Sequence, residues 1–403
     1  MHVLFVCSWY PHAENPVCGC FFQEQAEFLA AAGHEVGVFA LDQPISGPPG
    51  MGSKLWSVAE AIQPVAFEVE GALRVGRSSL SYDRLDRRRF FRHLRLEAAK
   101  KSVENYIEQF GRPDVVHAQS LLNAGPYAAE ISSATSIPWV FTEHFTGFLP
   151  GCAASQRYLA TKLPGIRRAV ISSSGGAAVG PDLADAVART LGCPRPRIIP
   201  NAIDTKLFCE APLDRERADE EFLIASVGSL RTKKNFGGLI HAFAEAFPKP
   251  DNCRLVIAGI GELEHSLREE IAKLELNDRV TLAGGLDRPE VARLFQDAQL
   301  IVSASHVETF GVTMIEAMAC GTPVLATRSG GPEHFVEPHV GSLIDVGNHG
   351  QLVNGLRAMR SNIDQYDAAE IRAYAEQHYG PASLARNLRD FYCDALVERA
   401  QAV

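Results

Sequence analysis

The chain has 403 residues, 46% of them hydrophobic and 22% charged, with a formal net charge of −9. That length exceeds an ordinary single domain and predicts two, each with enough apolar material for its own core. The acidity argues against a nucleic-acid partner, no run is long enough to span a membrane, and scattered cysteines without a CxxC pair predict reduced thiols in a cytoplasmic compartment.

His2 to Ser8 (HVLFVCS) predicts a buried strand. The residues around it, MHVLFVCSWYP, lack the basic region and cleavage pattern of a signal peptide. Cys18-Gly-Cys20 is too short a pattern for a metal site. Phe21 to Ala32 predicts a helix ended by Gly33, and Glu35 to Leu41 a second strand. Gln43 to Gly52, rich in Pro and Gly, predicts a surface loop. Tyr82 to Lys101 is basic, with Phe90, Phe91 and Leu94 interleaved. It reads as a helix packing its aromatics inward, or as an amphipathic helix lying on anionic lipid or a lipid-linked acceptor. Asp114 to His117 and Trp139 to Thr142 predict strands flanking a helix from Asn123 to Ser133. Ala169 to Ser172 and Arg197 to Ile199 predict two more.

The alternation restarts at Phe222 (FLIASVGSL) and continues with helix Phe236 to Ala246, strand RLVIAGIG and helix Glu264 to Leu274. Strand Val280 to Ala283, helix Pro289 to Asp297 and strand Leu300 to Ser303 follow. Strands alternating with helices imply βαβ units, so the fold class is α/β with two doubly wound, Rossmann-like domains. Pro200 to Asp204 and the charged stretch Asp214 to Glu221 predict the linker. The expected division is 1–204, 205–382 and a terminal helix 383–403, with Leu384, Leu388, Phe391, Tyr392 and Leu396 on its apolar face.

Several segments carry chemistry. In Ser303 to Glu333 (SASHVETFGVTMIEAMACGTPVLATRSGGPE), Glu308 and Glu316 bracket a Phe310-Gly311 turn that opens a helix at Val312. The first N–H groups of a helix lack partners and attract anions, so two hydroxyl-accepting carboxylates flank a phosphate-attracting helix end. Val227 to Phe236 (VGSLRTKKNF) places Arg231, Lys233 and Lys234 between a strand and a helix, where cations stabilise developing negative charge. Gly259 and Gly261 in LVIAGIGEL lack the third glycine and acidic partner of a dinucleotide fingerprint. Gly284, Gly285 and Leu286 follow another strand. In the first half, Phe141-Thr-Glu-His144 puts a histidine just past a strand, and Gly19 sits in the loop Asn15 to Gln25. Taken alone, the glutamates, the basic turn and the histidine read more readily as solvated surface or satisfied core residues, and the glycine segments equally as ordinary turns or a helix start.

Together they resemble retaining glycosyltransferase family four, over nearly the whole chain and most strongly from Val227 to Glu333. The resemblance implies the GT-B fold, its two domains facing across a cleft and the last helix returning to the first domain. It implies a nucleotide-sugar donor, a glycan or lipid-linked acceptor, retention of anomeric configuration and no cofactor or metal, in keeping with the lack of a DxD motif. By this resemblance Gly19, Arg231, Lys234, Gly311 and Val312 would bind the donor diphosphate. His144, Glu308, Phe310 and Gly311 would meet the donor sugar, and Gly261, Gly285, Leu286 and Glu316 the nucleoside. His144, Lys234 and Glu308 would be catalytic. One departure stands out: Ser229 occupies the usual arginine position, and Arg231 would replace it. A nucleotide-sugar epimerase of similar fold and a non-catalytic nucleotide-sugar-binding module remain alternatives. Contact of residues 82–101 with the inner face of the cytoplasmic membrane is a further expectation.

Overall fold

The first predicted strand, His2–Cys7 (β1), is buried along its whole length, as a central strand of a two-sided parallel sheet must be. The computed structural model describes residues 1–41, 63–78, 89–211 and 221–402, and within it the chain divides into two compact units. The first comprises Met1–Phe148, Ala154–Asn201 and Leu384–Val403. The second comprises Leu149–Ala153 and Ala202–Ser383.

In the first unit β1 is followed by α1 (Cys20–Ala31), β2 (Glu35–Ala40), the short β3 (Glu68–Glu70) and β4 (Leu73–Arg77). Next come α2 (Arg89–Phe110), β5 (Val115–Gln119), α3 (Ala124–Thr135) and β6 (Trp139–Glu143). The series closes with α4 (Ala153–Val170), β7 (Gly176–Ala178), α5 (Pro181–Leu191) and β8 (Arg197–Ile198). The sheet order is β3-β4-β2-β1-β5-β6-β7-β8, parallel except for the β3–β4 hairpin. The order reverses direction between β1 and β5, and ligands bind beyond the carboxyl ends of strands at such a switch point.

The strand expected at Ala169 to Ser172 is not formed. Leu159, Ile166, Ala169 and Val170 are buried at helical spacing, so this apolar run ends helix α4. The strand falls instead at Gly176–Ala178, whose small residues carry no strand signal. A Cβ at Gly176 would lie 2.3 Å from the Phe141 ring of the neighbouring strand, so side-chain packing across the sheet selects the glycine.

The second unit contains β9 (Phe222–Val227), α6 (Phe236–Ala246), β10 (Cys253–Ala258), α7 (Glu264–Lys273) and β11 (Val280–Gly284). These are followed by α8 (Arg288–Asp297), β12 (Leu300–Ser303), α9 (Val312–Ala319) and β13 (Val324–Thr327). The last elements are β14 (Gly341–Ile344), α10 (His349–Ser361) and α11 (Ala368–Tyr379). The sheet runs β11-β10-β9-β12-β13-β14, all parallel, the Rossmann order with its switch point between β9 and β12. Its core is aliphatic and aromatic, from Ile224, Leu239 and Phe243 to Leu300 and Leu325.

The terminal helix α12 (Pro381–Ala402) belongs to the first unit from Leu384 on. It buries Leu384, Leu388, Phe391, Tyr392 and Ala395, whereas Leu396 is only half-buried. Tyr392 Oη lies 2.7 Å from Nδ1 of the fully buried His117 on β5, whose Nε2 lies 2.8 Å from Thr142 Oγ1. Hydrogen bonding thus fastens the helix to the sheet.

The loop expected at 43–52 lies outside the described residues, as does 214–220 of the expected linker. Of the basic segment 82–101, residues 82–88 and the side chains of Phe90 and Phe91 lie outside them too. The described part of α2 buries Arg95, Ala98, Ala99, Ser102, Val103 and Tyr106. Among the described residues no helix is long and apolar enough to cross a membrane.

Candidate functional site

Two clusters sit at the carboxyl edges of the two sheets, each beside its switch point. In the second unit, the loop after β9 forms a single 3-10 turn, Thr232–Lys234. The loop after β12 lies against it, with His306 N donating to Lys233 O at 2.7 Å. This pairing brings together two residues 74 positions apart: Lys234 Nζ donates to Glu308 Oε1 at 2.5 Å. Ser305 Oγ donates to the same oxygen at 2.8 Å, and Glu308 N is tied to Ser329 O at 2.8 Å. Glu308 is only 8% exposed. Burial pushes its carboxyl up, but the Lys234 ammonium, with help from Lys233 and Ser305, holds it below the usual range. Lys233 is lowered, chiefly by burial and then by the Lys234 charge beside it. Arg231, in the same loop, is exposed to solvent.

Gly311 caps α9 with a φ of 108°, and a Cβ there would meet Met314 Cε at 2.2 Å. The left-handed φ is what favours glycine, since the Met314 side chain could move aside. The Phe310 ring is core, packed on Phe335 and Tyr379 at centroid distances of 5.4 and 5.7 Å, so only its backbone remains for ligand contact. A Cβ on Gly261 would lie 2.4 Å from Leu230 O, so this glycine lets the two loops touch. Gly285 and Leu286 form the short link between β11 and α8.

Glu316 is 1% exposed and makes a short ion pair through Oε1 with Arg288 Nη1. Its carboxyl is raised by burial, against the opposing pull of Arg288. The Arg288 guanidinium also lies 4.7 Å over the Phe208 ring. Sequence reasoning missed Arg288, because nothing in Leu286-Asp287-Arg288-Pro289 marks that residue as reaching across to α9.

In the first unit, Gly19 caps α1 with a φ of 69°, and a Cβ there would lie 2.7 Å from Trp9 Cδ1. His144 follows β6, with Phe21 and Phe22 against its ring at 5.3 and 4.9 Å. Its Nε2 donates to Gln119 Oε1 at 3.0 Å, which fixes the tautomer. The amide chain continues: Gln119 Nε2 donates to Gln25 Oε1 at 3.1 Å, and Gln25 Nε2 to Asn201 Oδ1 at 3.1 Å. Nδ1 of His144 is left as a bare acceptor, without a partner among the described residues. Burial, and then His117 nearby, lower its pKa to about 3, so the ring is neutral. Glu143, fully buried, accepts from the backbone N–H groups of Leu121, His144 and Phe145 at 2.9, 2.8 and 2.7 Å. It binds the β5 and β6 loop ends together. Gln119, Gln25, Asn201 and Glu143 were not singled out from sequence; only the adjacency of Glu143 to His144 hinted at one of them.

The sequence model of Glycosyltransferase Family 4 matches residues 21–207, and that of Glycosyl transferases group 1 matches residues 212–377. Alpha-monoglucosyldiacylglycerol synthase of Streptococcus pneumoniae is 25% identical over 214 residues, 50% of this chain and 47% of that protein. D-inositol 3-phosphate glycosyltransferase of Pseudarthrobacter chlorophenolicus is 30% identical over 190 residues, covering 44% and 45%. Against these two, the chain spans about half the relative's length. Glycogen synthase of Mycobacterium tuberculosis is 26% identical over 382 residues, 93% of this chain and 89% of that protein. Among solved structures, sucrose-phosphate synthase from Thermosynechococcus elongatus superposes with a TM-score of 0.75 at 20% identity, covering 99% of this chain and 100% of the other. The Anabaena protein HepE in complex with UDP gives 0.71 at 20% identity, covering 97% and 99%.

Proposed function

Because the chain belongs to glycosyltransferase family four and has the GT-B fold, we propose that it transfers a sugar from a nucleotide diphosphate sugar to a hydroxyl, with retention and without a metal. The observation that carries this reading is the Lys234–Glu308 pair beside the glycine-capped start of α9 at the Rossmann switch point. A donor diphosphate would compete for Lys234 and gain Arg231 and the N–H groups of Gly311 and Val312. Glu308, released from part of its pairing, would accept hydroxyls of the donor sugar. Glu316 would accept those of the ribose, with Gly285, Leu286 and the Gly261 loop about the base.

The reaction breaks the bond between the anomeric carbon and the diphosphate oxygen and forms one to the acceptor oxygen on the same face. The acceptor proton passes to the leaving diphosphate, whose charge Lys234 and Arg231 neutralise. His144, neutral and with Nδ1 as acceptor, would receive a donor-sugar hydroxyl, and Gly19 would let the backbone approach the diphosphate. The acceptor would be a glycan or a lipid-linked sugar, reached at the cytoplasmic membrane through residues 82–101.

The test is thermal unfolding with UDP, GDP, ADP and their sugar conjugates in chelator. A ligand at a hundred times its dissociation constant adds about 2.7 kcal/mol of apparent stability. Stabilisation by one nucleotide series, followed by a product of unchanged anomeric configuration, is expected. Release of an epimerised sugar without acceptor would favour the epimerase, and binding without turnover a non-catalytic module.

A further inference from the structure

Arg288 is the first residue of α8, a place where a cation opposes the helix dipole. The helix end is already satisfied by a capping box between Asp287 and Glu290, so helix stability gives no reason for an arginine there. Its guanidinium instead spans to α9, lying over Phe208 and pairing with Oε1 of Glu316. Among the described residues, Oε1 is the one oxygen of Glu316 engaged by a protein donor. The backbone leading to Arg288 is the Gly285-Leu286-Asp287 link, in which Gly285 and Leu286 would lie about the base. The four residues Gly285 to Arg288 therefore join the base region to the Glu316 carboxylate.

We propose that Arg288 is a positioning residue for nucleotide recognition, holding Oε1 of Glu316 so that Oε2 is presented as an ionised acceptor to the ribose hydroxyls. This rests on Glu316 as the ribose residue. The physical need is clear from burial. A carboxyl 1% exposed favours its neutral acid when unpaired, and an acid O–H is a poorer partner for two hydroxyl donors than a carboxylate. The planar guanidinium can stack on Phe208 and direct an N–H at one oxygen simultaneously, which a lysine ammonium cannot.

The experiment is calorimetric titration of UDP, GDP and ADP, each against its 2′,3′-dideoxy form, into wild type, Arg288→Leu and Arg288→Lys. Wild type is expected to prefer the ribose form of its nucleotide by about tenfold or more, the worth of a hydrogen bond to a charged group. Arg288→Leu should cut that preference to about threefold or less, with affinity for the dideoxy form little changed, and Arg288→Lys should restore part of it. Undiminished preference in Arg288→Leu, or equal loss for both forms, would overturn the positioning role. Should Arg288→Leu fail to fold, Arg288→Gln carries the same expectation. Failure of wild type to bind any of the three nucleotides, or to distinguish ribose from dideoxyribose, would instead remove the ribose assignment of Glu316.

Discussion

The carboxyl edges of the two sheets are built by opposite means. In the second unit the candidate residues are held by ion pairs, Lys234 with Glu308 and Arg288 with Glu316. In the first unit they are held by neutral groups, an amide chain from Asn201 through Gln25 and Gln119 to an uncharged His144. On the proposed function, a region that meets a diphosphate benefits from charge already paired in the free protein. A region that orients hydroxyls, as proposed for His144, benefits from a fixed donor and acceptor pattern that no pH near neutrality disturbs.

Lys234→Ala tests the charged side and should have the largest effect. Turnover is expected to fall by about 10²–10³-fold, as for loss of one donor to a developing anion. The substitution also leaves Glu308 buried without its cation, so the thermal midpoint should drop. Adding Glu308→Gln removes the stranded charge. The double variant should recover stability while turnover stays low. If stability and turnover recover together, Lys234 serves packing rather than the leaving group.

Much of the second unit was legible in sequence because its strands are short apolar runs, the first three ending at a glycine, and α6 and β12 fall where the pattern put them. The pairing of Lys234 with Glu308 was not legible, since spacing along the chain says nothing of two loops meeting beyond adjacent strands. In the first unit, β3 and β4 escaped because Glu68–Glu70 is exposed throughout and Gly76 interrupts the apolar alternation of β4. The amide chain escaped for another reason. Gln25, Gln119 and Asn201 are ordinary residues until the fold brings them into line. His144 was legible only through family likeness, because a histidine past a strand carries no signal of its own.

The neutral side is tested by pH. Burial holds His117 and His144 at about 3, whereas the unfolded chain protonates them near the ordinary histidine value. The unfolded state therefore binds more protons between those limits, so stability is full above about pH 6.5 and falls as the pH drops toward 3. By pH 5.5 the loss should be on the order of 1 kcal/mol per histidine. Glu143 and Glu316, raised by burial, work in the other sense as they protonate, and Glu308, held low, works with the histidines. Denaturant unfolding from pH 7.5 to 5.5 measures the slope, and His117→Asn should reduce it by about half. A flat profile in wild type would mean that both rings are solvated, and about half the expected slope that one is.

The smallest effect sharpens the contrast most, because it removes a single neutral bond. Tyr392→Phe deletes the hydroxyl beside His117 Nδ1 and keeps the ring that packs α12 on the sheet. A loss of about 1 kcal/mol is expected, with little change in nucleotide affinity, since both partners belong to the first unit and neither is among its candidate contacts. His117 then has only Thr142 as partner, and its ring gains freedom beside β6, the strand that carries Glu143 and leads into His144. A fall in turnover at unchanged nucleotide affinity, measured where the variant is still fully folded, would show that the neutral side transmits its order from the terminal helix to His144. Unchanged turnover would confine Tyr392 to fastening the helix.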